Sequence, residues 1–230
     1  MQPKEVFDVL TQIGATHLHH ANSVATSCTF LEQGALLSRA FVENHRLVQT
    51  AQSSDEIDKK YGIWGRIFLD HVDIHDRAGR KKGPNQYGPV LCVFDLDFLL
   101  GLPPGSEILA TKRNPVHWYD NQAEAERWFT SVEELARSIR FGDFDKMLVI
   151  DTPTGKIDLP EHRATIILDD PKKQLSSAQD AYSHAEARLA EAAKLGKVQA
   201  SVEKRDCQDG CICAQKYSTY TIPQMDFWFG

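Results

Sequence analysis

Side chains able to do chemistry concentrate in three short stretches of this 230-residue chain. The first is a histidine-rich run, Thr16, His17, Leu18, His19 and His20, followed by Asn22 and Ser23. An extended backbone alternates its side chains, so His17 and His19 share one face and His20 takes the other. The second runs from Asp70 to Asp76, where strand spacing puts His71, Asp73 and His75 on one side. Two imidazoles and a carboxylate in that arrangement can hold a divalent metal, with His17 and His19 as further donors. The same pattern also fits a half-exposed strand whose polar face meets water. The third stretch carries Cys207, Cys211 and Cys213. Thiolates are soft zinc ligands, but this spacing lacks the paired C-x2-C arrangement and an evident fourth ligand. The alternative is that these are simply reduced intracellular thiols. There is no P-loop, no G-x-G-x-x-G, no G-x-S-x-G and no H-E-x-x-H, which argues against a Rossmann crevice and the commonest hydrolase sites.

Regular elements must hold these clusters. Residues 3–13 read as a helix with Pro3 in its first turn and Val6, Phe7, Leu10 and Ile13 on one side. Residues 16–20 read as a strand. Asn22 then caps a helix carrying Val24, Cys28 and Leu31 at helical spacing, and Gly34 ends it. Residues 35–60 look helical and then polar, ending in the turn-rich Ser53, Ser54 and Asp55. Residues 66–75 and 89–97 have strand character, and the apolar run from Val90 to Phe94 fits a strand buried on both faces. Thr130 with Glu133 matches a capping box for a helix that buries Leu135 and Ile139. Residues 147–150 and 165–168 read as strands around a turn at residues 152–155. Composition shifts after Pro171. Across residues 172–205, Leu175, Ala178, Tyr182, Ala185, Leu189 and Ala192 are spaced by threes and fours, forming a helix whose narrow apolar seam packs on the main body. The expectation is an α+β fold with a mixed-sheet body over residues 1–171. Residues 172–230 form a helical C-terminal extension and cysteine-bearing tail packed on the same domain.

Composition narrows the class. Hydrophobic residues at 42% and charged residues at 25% are those of a globular domain, not of a disordered tail. No apolar window approaches the ~18 residues a membrane span needs. The first ten residues have no basic segment leading into an apolar run, so a cytoplasmic location is expected. With 26 basic against 32 acidic side chains the net charge is −6, which excludes a general nucleic-acid coat. The local exception is Arg77, Arg80, Lys81 and Lys82, beside Gly83 and Pro84. Such a loop either faces water or follows a phosphate backbone.

The residues from Leu18 through Asn22, running on through Phe30, Gly34, Leu36 and Leu37 to Ser38, resemble the opening of DarT-type ADP-ribosyltransferase toxins. Two further segments are similar to those framing the family's nicotinamide pocket: residues 66–70, and residues 85–87 ending in Tyr87. Residues 145–151 and 157–159 resemble the strand and turn that carry its catalytic glutamate. The resemblance covers roughly residues 16–168 and implies an ADP-ribosyltransferase-like fold that uses NAD as co-substrate.

It also implies roles. His20, with His19 beside it, would hold the adenosine-side ribose or phosphate, and Asn22 would hydrogen-bond the nicotinamide amide. Arg39 or Arg66 would meet the pyrophosphate, Phe68 would stack in place of a family tyrosine, and Tyr87 would frame the pocket. Strict register puts Lys146 where the family has its glutamate. Asp145, with Asp143 second, is therefore the candidate to stabilise the oxocarbenium-like cation formed when the nicotinamide–ribose bond breaks. Arg77, Arg80, Lys81 and Lys82 would approach a DNA or RNA acceptor. A toxin or phage-defence role would bring a cognate antitoxin as partner, and no membrane. Two other readings stand beside this one. The first is a metal-dependent hydrolase or nuclease built on His17, His19, His71, Asp73 and His75. The second is a degenerate transferase fold that binds a partner protein, with Lys146 marking lost activity.

Overall fold

The computed structural model describes residues 1–73, 86–159, 164–205 and 211–230. It opens with α1 (Pro3–Gln12), β1 (His17–Asn22), α2 (Val24–Glu32), β2 (Ala35–Leu37), α3 (Arg39–Asn44) and α4 (Asp55–Lys60). Next come β3 (Ile67–Leu69), β4 (Val90–Asp95), a 3-10 segment over Leu96–Gly101, β5 (Glu107–Ala110) and a short 3-10 turn at Pro115–His117. The middle of the chain adds α5 (Glu124–Arg127), α6 (Val132–Ser138), β6 (Leu148–Asp151), β7 (Lys156–Asp158) and β8 (Ala164–Asp169). The C-terminal part contains α7 (Ala181–Leu195), β9 (Ala200–Arg205), α8 (Ile212–Ser218) and α9 (Ile222–Phe229).

These elements form a mixed α+β fold. One sheet has the order β1-β4-β8-β9, antiparallel except for the parallel β8–β9 pair. A second has the order β3-β6-β5 and is antiparallel, and β2 pairs with β7 in a small third ladder. β4 is central, and Val90, Leu91, Cys92 and Phe94 are all buried, as expected of a strand covered on both faces. Among the described residues, no helix is long and apolar enough to cross a membrane.

The largest departure from expectation lies in residues 172–205. The helix there spans only Ala181–Leu195, and the chain then returns as β9, pairing in parallel with β8. A parallel neighbour requires a long crossover, and α7 supplies it. The extension therefore contributes a strand to the main sheet. Its alternation of half-buried and exposed residues is a strand period that the alanine-rich helix pattern before it obscured. The small-residue seam has a packing reason. α7 lies on α2, burying Ala181, Ala185, Leu189 and Ala192, and a Cβ at Gly196 would collide with the Leu31 carbonyl oxygen.

Smaller corrections follow local hydrogen bonding. Ser23, not Asn22, caps α2 by accepting from the Thr26 N–H, because Asn22 still belongs to β1. Ser131 caps α6 by accepting from the Glu134 N–H, one residue later than the pattern at Thr130 implied. Residues 35–60 hold a three-residue strand and two short helices, and β3 stops at Leu69 instead of running to residue 75.

Candidate active site

The two larger sheets meet where β1 touches β3. The His19 N–H donates to the Asp70 carbonyl at 2.8 Å, and the Asp70 N–H donates back to the His19 carbonyl at 2.9 Å. The ladder does not continue past this bridge. The Phe68 carbonyl is taken by the His20 side chain instead, whose Nδ1 lies 2.8 Å away. The strands part there, and a cleft of about 750 Å3, its open mouth included, occupies the gap.

Every cofactor-binding candidate named from the sequence lines this cleft: His19, His20, Asn22, Arg39, Arg66, Phe68 and Tyr87. Its wall is a fixed chain of polar groups. A carbonyl can only accept, so His20 carries its proton on Nδ1, and Nε2 is left to accept from the Asn22 amide at 3.3 Å. The Asn22 Oδ1 in turn accepts from the Gln52 side chain and the Ser23 N–H, each at 3.1 Å. Burial pushes the His20 pKa down, so the ring is neutral at pH 7. Burial also lowers His19, to about 4, against the opposing pull of Asp73.

The two arginines differ. Arg39 is committed to the protein: it grips both Asp55 carboxylate oxygens at 2.6 and 2.7 Å and donates to the Thr50 carbonyl. Arg66 donates through Nε to Asp151 at 3.1 Å and lies 5.9 Å from the Trp128 ring centroid. Its Nη groups make no hydrogen bond among the described residues. Arg66 is thus the guanidinium with donors left for an anion. Tyr87 is set in place by its neighbour: a Cβ at Gly88 would overlap the Asn22 carbonyl, and φ there is +130°. Asn114 donates to the Tyr87 hydroxyl at 3.4 Å.

The two proposed catalytic acids do not reach the cleft. Asp143 and Asp145 line a separate shallow depression with Lys112, Arg113, Gly142, Phe144 and Lys146. The physical reason is local. A bend at residues 144–145 breaks the extended backbone before β6 begins. The Lys146 ammonium bonds the Ser138 carbonyl and the Asp143 carboxylate, which ties Lys146 and Asp143 to the end of α6. Burial opposes ionisation of Asp143, but Lys146 and the Arg140 N–H outweigh it and hold the carboxyl below its ordinary value. From this segment the cleft receives only Met147.

The acids that do line the cleft are Asp58 and Asp70. Asp58 is buried in α4, and desolvation, reinforced by Asp55 and opposed by Arg39, raises its pKa to about 7. Sequence reasoning missed it together with Gln52 and Asn114. Asp58 falls in the polar end of residues 35–60, beside the turn-rich Ser53, Ser54 and Asp55, and no motif distinguishes its acids from solvent-facing ones.

The metal-binding set does not assemble among the described residues. β3 ends before His71, whose ring is buried near Asp143 and the Arg140 and Lys146 carbonyls. His17 lies at the surface 3.5 Å from Asp95. No group of three histidine, cysteine or acidic side chains is placed to hold a metal among the described residues. Cys213 is buried and Cys211 half-buried in the C-terminal segment. His75, Arg77, Arg80, Lys81, Lys82, Asn85 and Cys207 lie outside the described residues.

No family model and no curated protein matches the chain. Among solved structures it is similar to DarT of Thermus sp. 2.9 in complex with ADP-ribosylated ssDNA, with a TM-score of 0.48 and 13% identity over 83% of this chain and 94% of that one. It is also similar to the same protein in complex with NAD+, with a TM-score of 0.42 and 13% identity over 83% and 96% of the two chains. The complex with carba-NAD+ gives a TM-score of 0.44 and 12% identity over 84% and 96%.

Proposed function

We propose that this chain is an NAD-dependent mono-ADP-ribosyltransferase that modifies nucleic acid and acts as a toxin or phage-defence effector. The observation carrying the reading is convergence. Residues singled out from short motifs as far apart as His19 and Tyr87 line one cleft where the sheets part. The cleft's chemistry fits a dinucleotide. Arg66 offers a guanidinium fork to a diphosphate, while the amides of Asn22 and Gln52, held in place by neutral His20, offer hydrogen-bond partners to ribose and carboxamide groups. Phe30, Ile67, Phe68, Pro115 and Met147 supply apolar surface for the flat rings. The likeness to solved DarT structures is too distant to add to this. Reaction class and toxin role rest on the motif resemblance, with nucleic acid as acceptor and an antitoxin as partner.

Incubation with adenylate-labelled NAD and single-stranded DNA or RNA oligonucleotides tests the reading directly. Wild type is expected to transfer label to one of the nucleic acids, and Arg66→Ala to lose transfer by at least about tenfold, in keeping with a charge-assisted contact worth 1.5–3 kcal/mol. Absence of transfer to any acceptor, with NAD left intact, contradicts it.

A further inference from the structure

Asp58 is a buried acid of the cleft whose carboxyl has no hydrogen-bond or ion-pair partner among the described residues. It is 8% exposed and lines the cleft beside Ser54 and Gln52. The neighbouring acids are all engaged. Asp55 is held by Arg39 and by the Gln52 N–H, Asp151 by Arg66 and Asp143 by Lys146. Asp70 also has partners of its own. Keeping an unpaired carboxyl buried costs stability unless a ligand or a reaction uses it.

Resting on the transferase reading above, we propose that Asp58 is the proton acceptor of the cleft, the base that deprotonates the N–H or O–H of the nucleic-acid acceptor. The balance is complete. The ribose–nicotinamide bond breaks and its electron pair leaves with nicotinamide, which becomes neutral. The acceptor nitrogen or oxygen forms the new bond to the ribose carbon, and its proton passes to the Asp58 carboxylate and then to water. A base titrating near the working pH is the effective one for such a transfer, and burial places Asp58 at about 7. The charged and titratable groups around it are Arg39 of α3, Asp55 of its own helix, and Arg66, Asp70 and the neutral His19 and His20 elsewhere in the cleft lining. The 3-10 turn packed against α4 adds His117, which is exposed.

The test compares wild type with Asp58→Asn, which has the shape of the protonated acid, and with Asp58→Glu. Three quantities are read: NAD affinity, the pH profile of transfer to a single-stranded oligonucleotide, and the melting temperature of ligand-free protein against pH. Wild-type transfer is expected to rise tenfold per pH unit up to about pH 7 and then level. Asp58→Asn is expected to bind NAD within about threefold of wild type, lose ~100-fold or more in transfer and lose the acid limb, whereas Asp58→Glu regains part of both. Without ligand, the Asn variant gains in melting temperature on wild type as pH rises from 5 to 8, since it never ionises. Transfer by Asp58→Asn within threefold of wild type, with the limb intact, overturns the assignment while leaving the transferase reading in place. A melting difference that does not change with pH overturns it as well. Wild type that neither binds nor consumes NAD removes the transferase reading, and the role of Asp58 with it.

Discussion

At the scale of single residues, hydrogen bonding fixes what each cleft side chain can still offer a ligand. His20 has both ring nitrogens occupied, by a carbonyl on one side and an amide on the other. It acts as a wall, and its replacement should be felt in the shape of the cleft. His20→Ala removes the donor to the Phe68 carbonyl and frees Asn22. NAD binding is expected to weaken by about tenfold, as suits a lost buried hydrogen bond and a cavity, while His20→Gln, which can still donate, keeps more of it. Calorimetric titration of both variants distinguishes shape from charge. Arg39 and Arg66 separate in the same way. Arg39→Ala breaks a largely buried pair with Asp55 and is expected to cost stability on the order of 3 kcal/mol, read by denaturant unfolding. Asp143→Asn, outside the cleft, is expected to leave transfer within twofold of wild type.

At the scale of elements, the site exists because one ladder stops. The His19–Asp70 bridge joins the sheets, and the splay beyond it makes room for a ligand. Gly88 keeps β4's entry tight against the end of β1. Gly88→Ala drives a Cβ into the Asn22 backbone and is expected to destabilise by more than 2 kcal/mol or to prevent folding. These elements were unevenly legible. β1, α2, β4, β6 and β8 carry clear alternation, helical spacing or apolar runs, and the residues grouped as cofactor-binding line one cleft, whereas Asp143 and Asp145 lie outside it. Three things were not legible. The strand β9 sits behind a long alanine-rich helical period. The start of α4 looks like a turn, which hid Asp58. The bend at residues 144–145 accompanies Lys146 bonding the Ser138 carbonyl and Asp143, local contacts that no helix or strand period encodes, and the expected acids lie away from the cleft.

At the scale of the whole molecule, the C-terminal part reaches the site through charge. Arg205 of β9 bonds Asp73 at 2.9 Å and lies 3.3 Å from Asp169, which also accepts from the Tyr217 hydroxyl at 2.5 Å. Asp73 acts electrostatically on His19 of the cleft. Truncation after residue 171 removes β9 and α7 and strips the cover from α2, so the shortened chain is expected to be insoluble or unfolded by circular dichroism. Stability should also depend on pH with a definite sign. His19 has a folded pKa near 4 against an ordinary 6.5, so its contribution is complete above 6.5 and is lost as pH falls toward 4. A gap of that size is worth on the order of 3 kcal/mol, and His20 and His71, also lowered by burial, act in the same direction. Asp58 acts oppositely, its stabilising effect being complete below about pH 4 and lost as pH rises through 7. The melting temperature is therefore expected to fall between pH 6.5 and 4, and to fall more steeply in Asp58→Asn. The proposed NAD site in the cleft between the sheets is tested by equilibrium titration of NAD into wild type, Arg66→Ala and Asp143→Asn. The predicted result is saturable binding of one NAD per chain, weakened at least tenfold by Arg66→Ala and unchanged by Asp143→Asn. Absence of binding, or binding that Asp143→Asn abolishes and Arg66→Ala leaves intact, would contradict it.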